Sequence, residues 1–335
     1  MKIRTWLVLS IAAIGIIVGW KIFVWGQRFK KETGLTAPTM VQLLFNGGAP
    51  LASSDGRTNV LILGISGGTH PGADLTDTML VMSIRQKDHR VTLISIPRDM
   101  WSEVLQDKVN SAYHYGEERE KGAGIPLAKA SIDDVVGLPV HYGFVIDFSG
   151  FKTIIDLVGG IDVFVPSAFT DPDFPVEGKE NDVCGGDPQF RCRYEPLHFD
   201  RGLEHMDGTR ALQYVRSRHA EDSEGSDFAR SRRQQDVLVA LQQKLLQPKL
   251  IFQPGLVAKL FRAFDEATDM DMTIGELLTV GKLLAKNKQE NIKKIFFEDQ
   301  LVTPPLWQYN GRYVLVPREG FDAIHEFIKE AMRDK

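Results

Sequence analysis

Four groups of residues could do chemistry by type and spacing. Residues 96–99 read IPRD after an apolar run, so Arg98 and Asp99 follow the end of a strand. That is where α/β sheets assemble their sites. A local ion pair at an exposed turn is the plainer reading of the same residues. Residues 214–219 read YVRSRH. If they are extended, Arg216 and Arg218 point to one face and repel unless an anion lies between them. A solvated charged strand is the alternative. Residues 227–245 have helical periodicity, which puts Arg230 and Gln234 on the side of Val237, Leu241 and Leu245, with Arg232 pointing away. An inward arginine in the first turn opposes the helix dipole and is seldom buried unpaired. A bound phosphate resolves both problems; a pair with Asp227 or Asp222 resolves the second. The fourth group, 64–78, is glycine-rich and follows a strand. Its amides can cradle phosphate, and Asp74 and Asp77 offer oxygens to Mg²⁺. By spacing alone it is a polar turn. Neither the P-loop nor the dinucleotide glycine fingerprint is present. Together the groups describe a site for a diphosphate and a divalent cation.

The elements that must position these residues are short. Runs 59–65, 79–84, 90–97, 141–147 and 161–166 are apolar and bounded by turns, as strands buried on both faces are. Helices are predicted over 126–136 and 149–158, the second capped by Ser149. Further helices follow over 227–246, from the capping box of Thr273 and Glu276, and over 320–332. Residues 167–203, rich in Asp, Pro and Gly, read as a long irregular insertion. Strands alternating with helices predict a layered α/β or α+β domain.

The N-terminus is of a different kind. Residues 6–20 carry no charge and, with Lys21 near the end, the apolar run continues to Trp25. About 20 apolar residues cross a hydrocarbon core. Trp6, Trp20 and Trp25 mark its ends, and no small-residue cleavage site follows. This predicts a short tail over 1–5, an uncleaved transmembrane helix over 6–25, a stalk over 26–56 and a folded domain over 57–335. Positive charges flank the span almost evenly, so they do not orient it. Cys184 and Cys192, with Gly and Pro between them, suit a disulfide in an oxidising compartment; two free thiols are the other reading. The disulfide would place the domain outside the cytoplasm. Forty Lys and Arg against 44 Asp and Glu give a net charge of −4, which offers no basic surface for nucleic acid.

In order and spacing, these motifs resemble the LytR-CpsA-Psr (LCP) family of the bacterial envelope. The matching runs are 75–79 (LTDTM), 91–99 (VTLISIPRD), 108–113 (KVNSAY), 147–151 (DFSGF) and 158–163 (VGGIDV). They continue at 206–208 (MDG), 211–218 (ALQYVRSR), 227–230 (DFAR) and 233–235 (RQQ). The resemblance implies a mixed sheet flanked by helices in a three-layer arrangement, with an apolar pocket for lipid. It implies transfer of a glycopolymer phosphate from a polyprenyl-diphosphate carrier to a peptidoglycan hydroxyl, by a single-pass protein of the cytoplasmic membrane whose catalytic domain lies outside. Asp77 then matches a Mg²⁺ site and Arg98 a diphosphate contact. Arg216, Arg218 and Arg230 match phosphate-gripping arginines. Gln234 or Gln235 matches a polar contact, and Lys108 a position near the pocket. Asp99 is read as an orienting residue or partner of Arg98. One departure is plain: where the family has Gly-x-Asp, residues 64–67 read GISG. Asp74 or His70 is the candidate replacement. A polyprenyl-diphosphate hydrolase and a non-catalytic envelope binding protein are the rival readings.

Overall fold

The structure is a computed structural model that describes residues 20, 27, 49–68, 72–179, 181–220, 223–251, 253–287 and 292–333. Apart from Trp20, the anchor expected over 6–25 lies outside the described residues, as do most of the stalk and His70. Among the described residues, no helix is long and apolar enough to cross a membrane.

The apolar runs form strands β1 (Arg57–Ile65), β2 (Thr76–Arg85), β3 (Val91–Ser95), β4 (Tyr142–Asp147) and β5 (Ile161–Val165). The expected irregular stretch instead contains β6 (Phe169–Pro175), β7 (Tyr194–Phe199) and the start of β8 (Gly202–Met206). Prolines and a register shift between Asp171 and Phe174 hide the alternation that would have announced this hairpin. Two further strands are β9 (Thr268–Met270) and β10 (Ile292–Ile295). A six-stranded mixed sheet runs in the order β9-β4-β1-β2-β3-β10. Parallel β1–β4 and β3–β10 pairs flank the antiparallel β1–β2–β3 meander. Both faces are nonetheless covered, which explains the continuous apolar runs. β5 leaves this sheet and pairs with β8.

The helices are α1 (Ala112–Arg119), α2 (Gly124–Val136), α3 (Phe148–Leu157), α4 (Gly208–Arg216), α5 (Asp227–Leu245), α6 (Pro254–Ala267), α7 (Ile274–Lys286) and α8 (Phe321–Met332). The Thr273–Glu276 capping box opens α7. The cap of α3 is Asp147, whose carboxylate accepts from the Gly150 amide at 2.7 Å, not Ser149. On one face of the sheet, Leu61, Leu63, Met79 and Val81 pack against Ile125, Ile132 and Val135 of α2 and Ile324 and Ile328 of α8. On the other, Val60, Leu80 and Met82 face Leu238 of α5 and Val280 and Leu284 of α7. This is a three-layer α/β domain. Its second helical layer does not close fully on the sheet: a cavity of about 340 Å³ remains, lined by side chains such as Ile62, Phe144, Phe151, Val237, Leu241 and Leu277.

Candidate functional site

The site begins where β1, β3 and β4 end and β2 begins. Antiparallel register sets Gly64 opposite Thr78 and Ile65 opposite Thr76, while parallel pairing sets Ile65 beside Asp147. The crowding here requires glycine. A Cβ on Gly64 would sit 3.0 Å from Thr78 Cβ. Gly67 has φ +71°, and a Cβ there would meet Asp147 Cβ at 2.8 Å. Asp77 therefore emerges from the first turn of β2 next to the chain leaving β3.

That chain carries Arg98 and Asp99. Arg98 Nη1 donates to Asp77 Oδ1 at 2.6 Å, and its Nε lies 3.5 Å from Asp99 Oδ2. Lys108 Nζ reaches Asp99 Oδ1 at 2.5 Å, so Asp99, 8% exposed, joins two cations. Facing Arg98 from α5 is Arg230. Ser226 caps this helix by accepting from the Ala229 amide, which turns Arg230 inward onto a small pocket it shares with Asp77, Arg98, Asp227 and Gln234. Arg230 Nη2 pairs with Asp227 Oδ1 at 3.0 Å, one of the two partners the sequence offered. The other, Asp222, lies outside the described residues. The Nε groups of both Arg98 and Arg230 are buried without a hydrogen-bond partner, that of Arg98 lying only within ion-pair distance of Asp99. Burial pulls the Arg230 guanidinium below its ordinary value, against Asp227, and like charge from Arg98 and Arg218 pulls the same way. Burial also lowers Arg98, but Asp77 and Asp99 outweigh it and the net shift is upward. The result is a pocket in which Arg98 and Arg230 are each paired with a carboxylate yet keep N–H donors that make no hydrogen bond.

The YVRSRH segment is not extended as expected. Tyr214 to Arg216 finish α4, and only from Ser217 does the backbone open out. Alternation therefore does not put Arg216 and Arg218 on one face. Arg216 is half-buried, its guanidinium carbon 4.7 Å from the Phe148 ring and 5.6 Å from Phe174. Arg218 is exposed. What holds the turn is Asp171 of β6, which the sequence did not single out. It is fully buried, and its Oδ2 accepts from Ser217 Oγ (2.8 Å), the Arg218 amide (2.9 Å) and the His219 amide (3.2 Å). Burial pushes its carboxyl up, but these hydrogen bonds win and leave it below its ordinary value. Arg233 supports the turn from beneath, donating to the carbonyls of Tyr214 at 3.0 Å and Ser217 at 2.5 Å, and to Glu224 Oε2 at 2.9 Å. Only the long-range fold brings Asp171 here, so no local spacing could have found it.

The carboxylates divide. Asp74 oxygens both lie 2.9 Å from His114 Nδ1. Asp77 keeps 40% side-chain exposure beside Arg98. Among the described residues, the group with three potential ligand atoms within 4.8 Å is Asp182, Cys184 and Cys192. Those cysteines form a disulfide, with Cα atoms 5.5 Å apart, in the connection between β6 and β7, so they offer no thiolate. Gln235 points away from the pocket and donates to Ser95 Oγ at 2.7 Å. Gln234 lines both the charged pocket and the apolar cavity, and so stands between them.

This arrangement can hold a phosphate or diphosphate at the pocket and a hydrocarbon chain in the cavity. The chain resembles two curated proteins named polyisoprenyl-teichoic acid–peptidoglycan teichoic acid transferases. One is TagU of Bacillus cereus, 29% identical over 191 residues, covering 56% of this chain and 52% of that protein. The other is TagV of Bacillus subtilis, 30% identical over 172 residues, covering 50% of this chain and 38% of that one. The chain thus spans about half or less of the curated relatives it matches. The crystal structure of B. subtilis TagV superposes with a TM-score of 0.59 at 22% identity, covering 84% of this chain and 98% of that one. A structure titled TagT bound to LI-WTA superposes with a TM-score of 0.56 at 19% identity, covering 83% and 90%. At these identities the superpositions establish the α/β fold. The family description LytR_cpsA_psr matches residues 27–328, and the chain belongs to that family.

Proposed function

We propose that this protein transfers a glycopolymer phosphate from a polyprenyl-diphosphate carrier to a hydroxyl of peptidoglycan. One observation carries the reading: two buried arginine Nε groups that make no hydrogen bond, on Arg98 and Arg230, share a pocket whose Gln234 wall is also the wall of an apolar cavity. A diphosphate supplies the missing acceptors, and its lipid has a dry place to go. The names of the TagU and TagV relatives support the same substrate class.

In the proposed step, an acceptor oxygen bonds to the glycan-bearing phosphorus and the P–O bond to the lipid phosphate breaks. The hydroxyl proton balances the charge gained by the departing polyprenyl phosphate. Arg98 and Arg230 hold the diphosphate oxygens, Arg218 adds its charge to Arg230 from the Asp171-held turn, Arg216 is assigned to the phosphate by the family resemblance, and Lys108 lies beyond Asp99. Fixed cations of this kind stabilise charge that develops in the transition state. Asp77 is the carboxylate available for Mg²⁺: Arg98 engages its Oδ1, and the side chain remains partly exposed. Mg²⁺ commonly takes one or two carboxylates with substrate phosphates and water, so this donor set fits. Bound there, the ion would supply charge neutralisation at the phosphoryl oxygens. Asp74, held by His114, is the less available second ligand.

We further propose that residues 6–25 anchor the chain and that the disulfide-bearing domain lies outside the cytoplasmic membrane. The test gives the detergent-extracted full chain lipid-linked glycan with and without peptidoglycan. Glycan joined to the wall material, with free polyprenyl phosphate, is the expected result. Equal release in both tubes, with none on the wall, would identify a hydrolase and sink the transferase.

A further inference from the structure

The loop after β10 builds a second surface beside the charged pocket. Residues 306–313 form a closed turn in which the Gly311 amide donates to the Leu306 carbonyl at 2.8 Å and the Arg312 amide to the Tyr309 carbonyl at 3.0 Å. Tyr309 packs edge-on against Trp101 with centroids 4.8 Å apart. Backbone bonds fix the chain after the turn to the segment carrying the site: the Leu315 amide donates to the Asp99 carbonyl at 2.8 Å, and the Trp101 amide to the Leu315 carbonyl at 2.9 Å. The turn is thus positioned by the residues that position Arg98.

Aromatic rings are exposed on and beside it: Trp307 is 78% and Tyr313 48% exposed on this segment, and Tyr115 of α1 is 37% exposed. Polar groups are fixed among them. Asp107 accepts from Tyr115 Oη at 2.6 Å and pairs with Arg312 Nη1 at 2.6 Å. Lys108 Nζ, held by Asp99, lies 5.9 Å from the Tyr313 ring centre. A rigid set of half-wet aromatic faces interleaved with oriented hydrogen-bonding groups matches a pyranose ring. The sugar's C–H face stacks on the ring while its hydroxyls find donors and acceptors at the edge. Asp107 is neutralised by Arg312 and Lys108 by Asp99, so these charges give an anionic lipid surface little to bind.

We propose that Trp307 and Tyr313 form the docking platform for the acceptor glycan strand. The proposal rests on the transferase reading above. In-line displacement puts the attacking hydroxyl opposite the leaving lipid phosphate. That phosphate departs toward Gln234 and the apolar cavity, so the acceptor arrives from the Lys108 and Tyr313 side.

The test measures binding of soluble, uncross-linked peptidoglycan glycan strands to the detergent-extracted full chain by calorimetry. Polyprenyl diphosphate and phosphatidylglycerol vesicles serve as separate probes. Trp307→Ala and Tyr313→Ala are each expected to weaken glycan binding roughly tenfold. Trp307→Phe should retain most of it, and diphosphate affinity should not change. Glycan affinity unchanged in both alanine variants overturns the platform. So does a loss confined to vesicle binding, which makes the face a membrane contact. If the unmodified protein fails to bind polyprenyl diphosphate, the transferase reading falls instead; glycan binding that still requires Trp307 would then support the platform by itself.

Discussion

Arg98 occupies Asp77, donating from Nη1 to Oδ1 at 2.6 Å. The β2–β3 register brings them together across 21 residues of sequence. The carboxylate we propose for Mg²⁺ and an arginine we propose for the diphosphate therefore neutralise each other. In the proposed function, an entering diphosphate would draw Arg98 away from Asp77, and a divalent cation at Asp77 would help it do so.

Asp77→Asn should accordingly separate binding from turnover. Without the carboxylate, Arg98 is released to the ligand. Polyprenyl diphosphate should bind about fivefold more tightly in EDTA, the equivalent of roughly 1 kcal/mol for a partly exposed pair. Added Mg²⁺ should no longer strengthen binding, and transfer should fall. Calorimetry with and without Mg²⁺ checks this; weaker binding in EDTA would contradict the competition.

Arg230→Met tests whether the buried cation is kept for ligand or for stability. Arg230 loses its hydration on burial, and Asp227, its partner, is 41% exposed and can be rehydrated. Replacing a buried charge with an apolar side chain of similar length is often neutral or stabilising. The expected outcome is an unchanged or higher Tm with diphosphate affinity lowered more than about tenfold. A large drop in Tm would mark Arg230 as structural.

How much of this was legible in the sequence depends on the range of the cause. Arg230 and Gln234 were placed by helical periodicity alone, because Ser226 starts α5 where the pattern requires. Arg98 was found as a strand-end residue. Arg216 was paired with Arg218 on the condition that the segment is extended, whereas Asp207 caps a helix that runs through it. The β6–β7 hairpin was missed because Pro172 and Pro175 broke its alternation. Asp171 could not be found locally: its value lies in bonds to residues more than 45 positions away. The cavity was expected only from the family resemblance, and its lining could not be read locally, since apolar residues that line a void and those that fill a core look the same in sequence.

Asp171 sets a pH signature. Its folded pKa lies below the ordinary 3.8, so its contribution to stability is fully present above 3.8 and is lost as pH falls through the folded value. Asp171→Asn removes the charge-assisted acceptor and should cost about 1.5–3 kcal/mol at neutral pH. Urea unfolding should show that gap narrowing as both proteins are taken below pH 3.8. The variant should also bind diphosphate less well, because the turn carrying Arg216 and Arg218 loosens. A constant gap at all pH values would remove the carboxylate's charge from the account.

The cavity makes a separate prediction, because it handles the lipid and not the phosphate. Leu241 lines it from α5 and is only partly buried, so a larger side chain can enter open space there without forcing the core apart. Leu241→Trp should therefore leave Tm and inorganic diphosphate affinity unchanged. Each methylene denied a dry contact costs about 0.8 kcal/mol, so excluding even two should weaken binding of long-chain polyprenyl diphosphate roughly tenfold. Leu241→Ala enlarges the same space and should spare long chains. Comparing inorganic diphosphate, a short prenyl diphosphate and a long one separates the two halves of the site. Equal weakening of all three by Leu241→Trp would mean that the tryptophan distorts α5 and Arg230, and the cavity would lose its claim to the lipid.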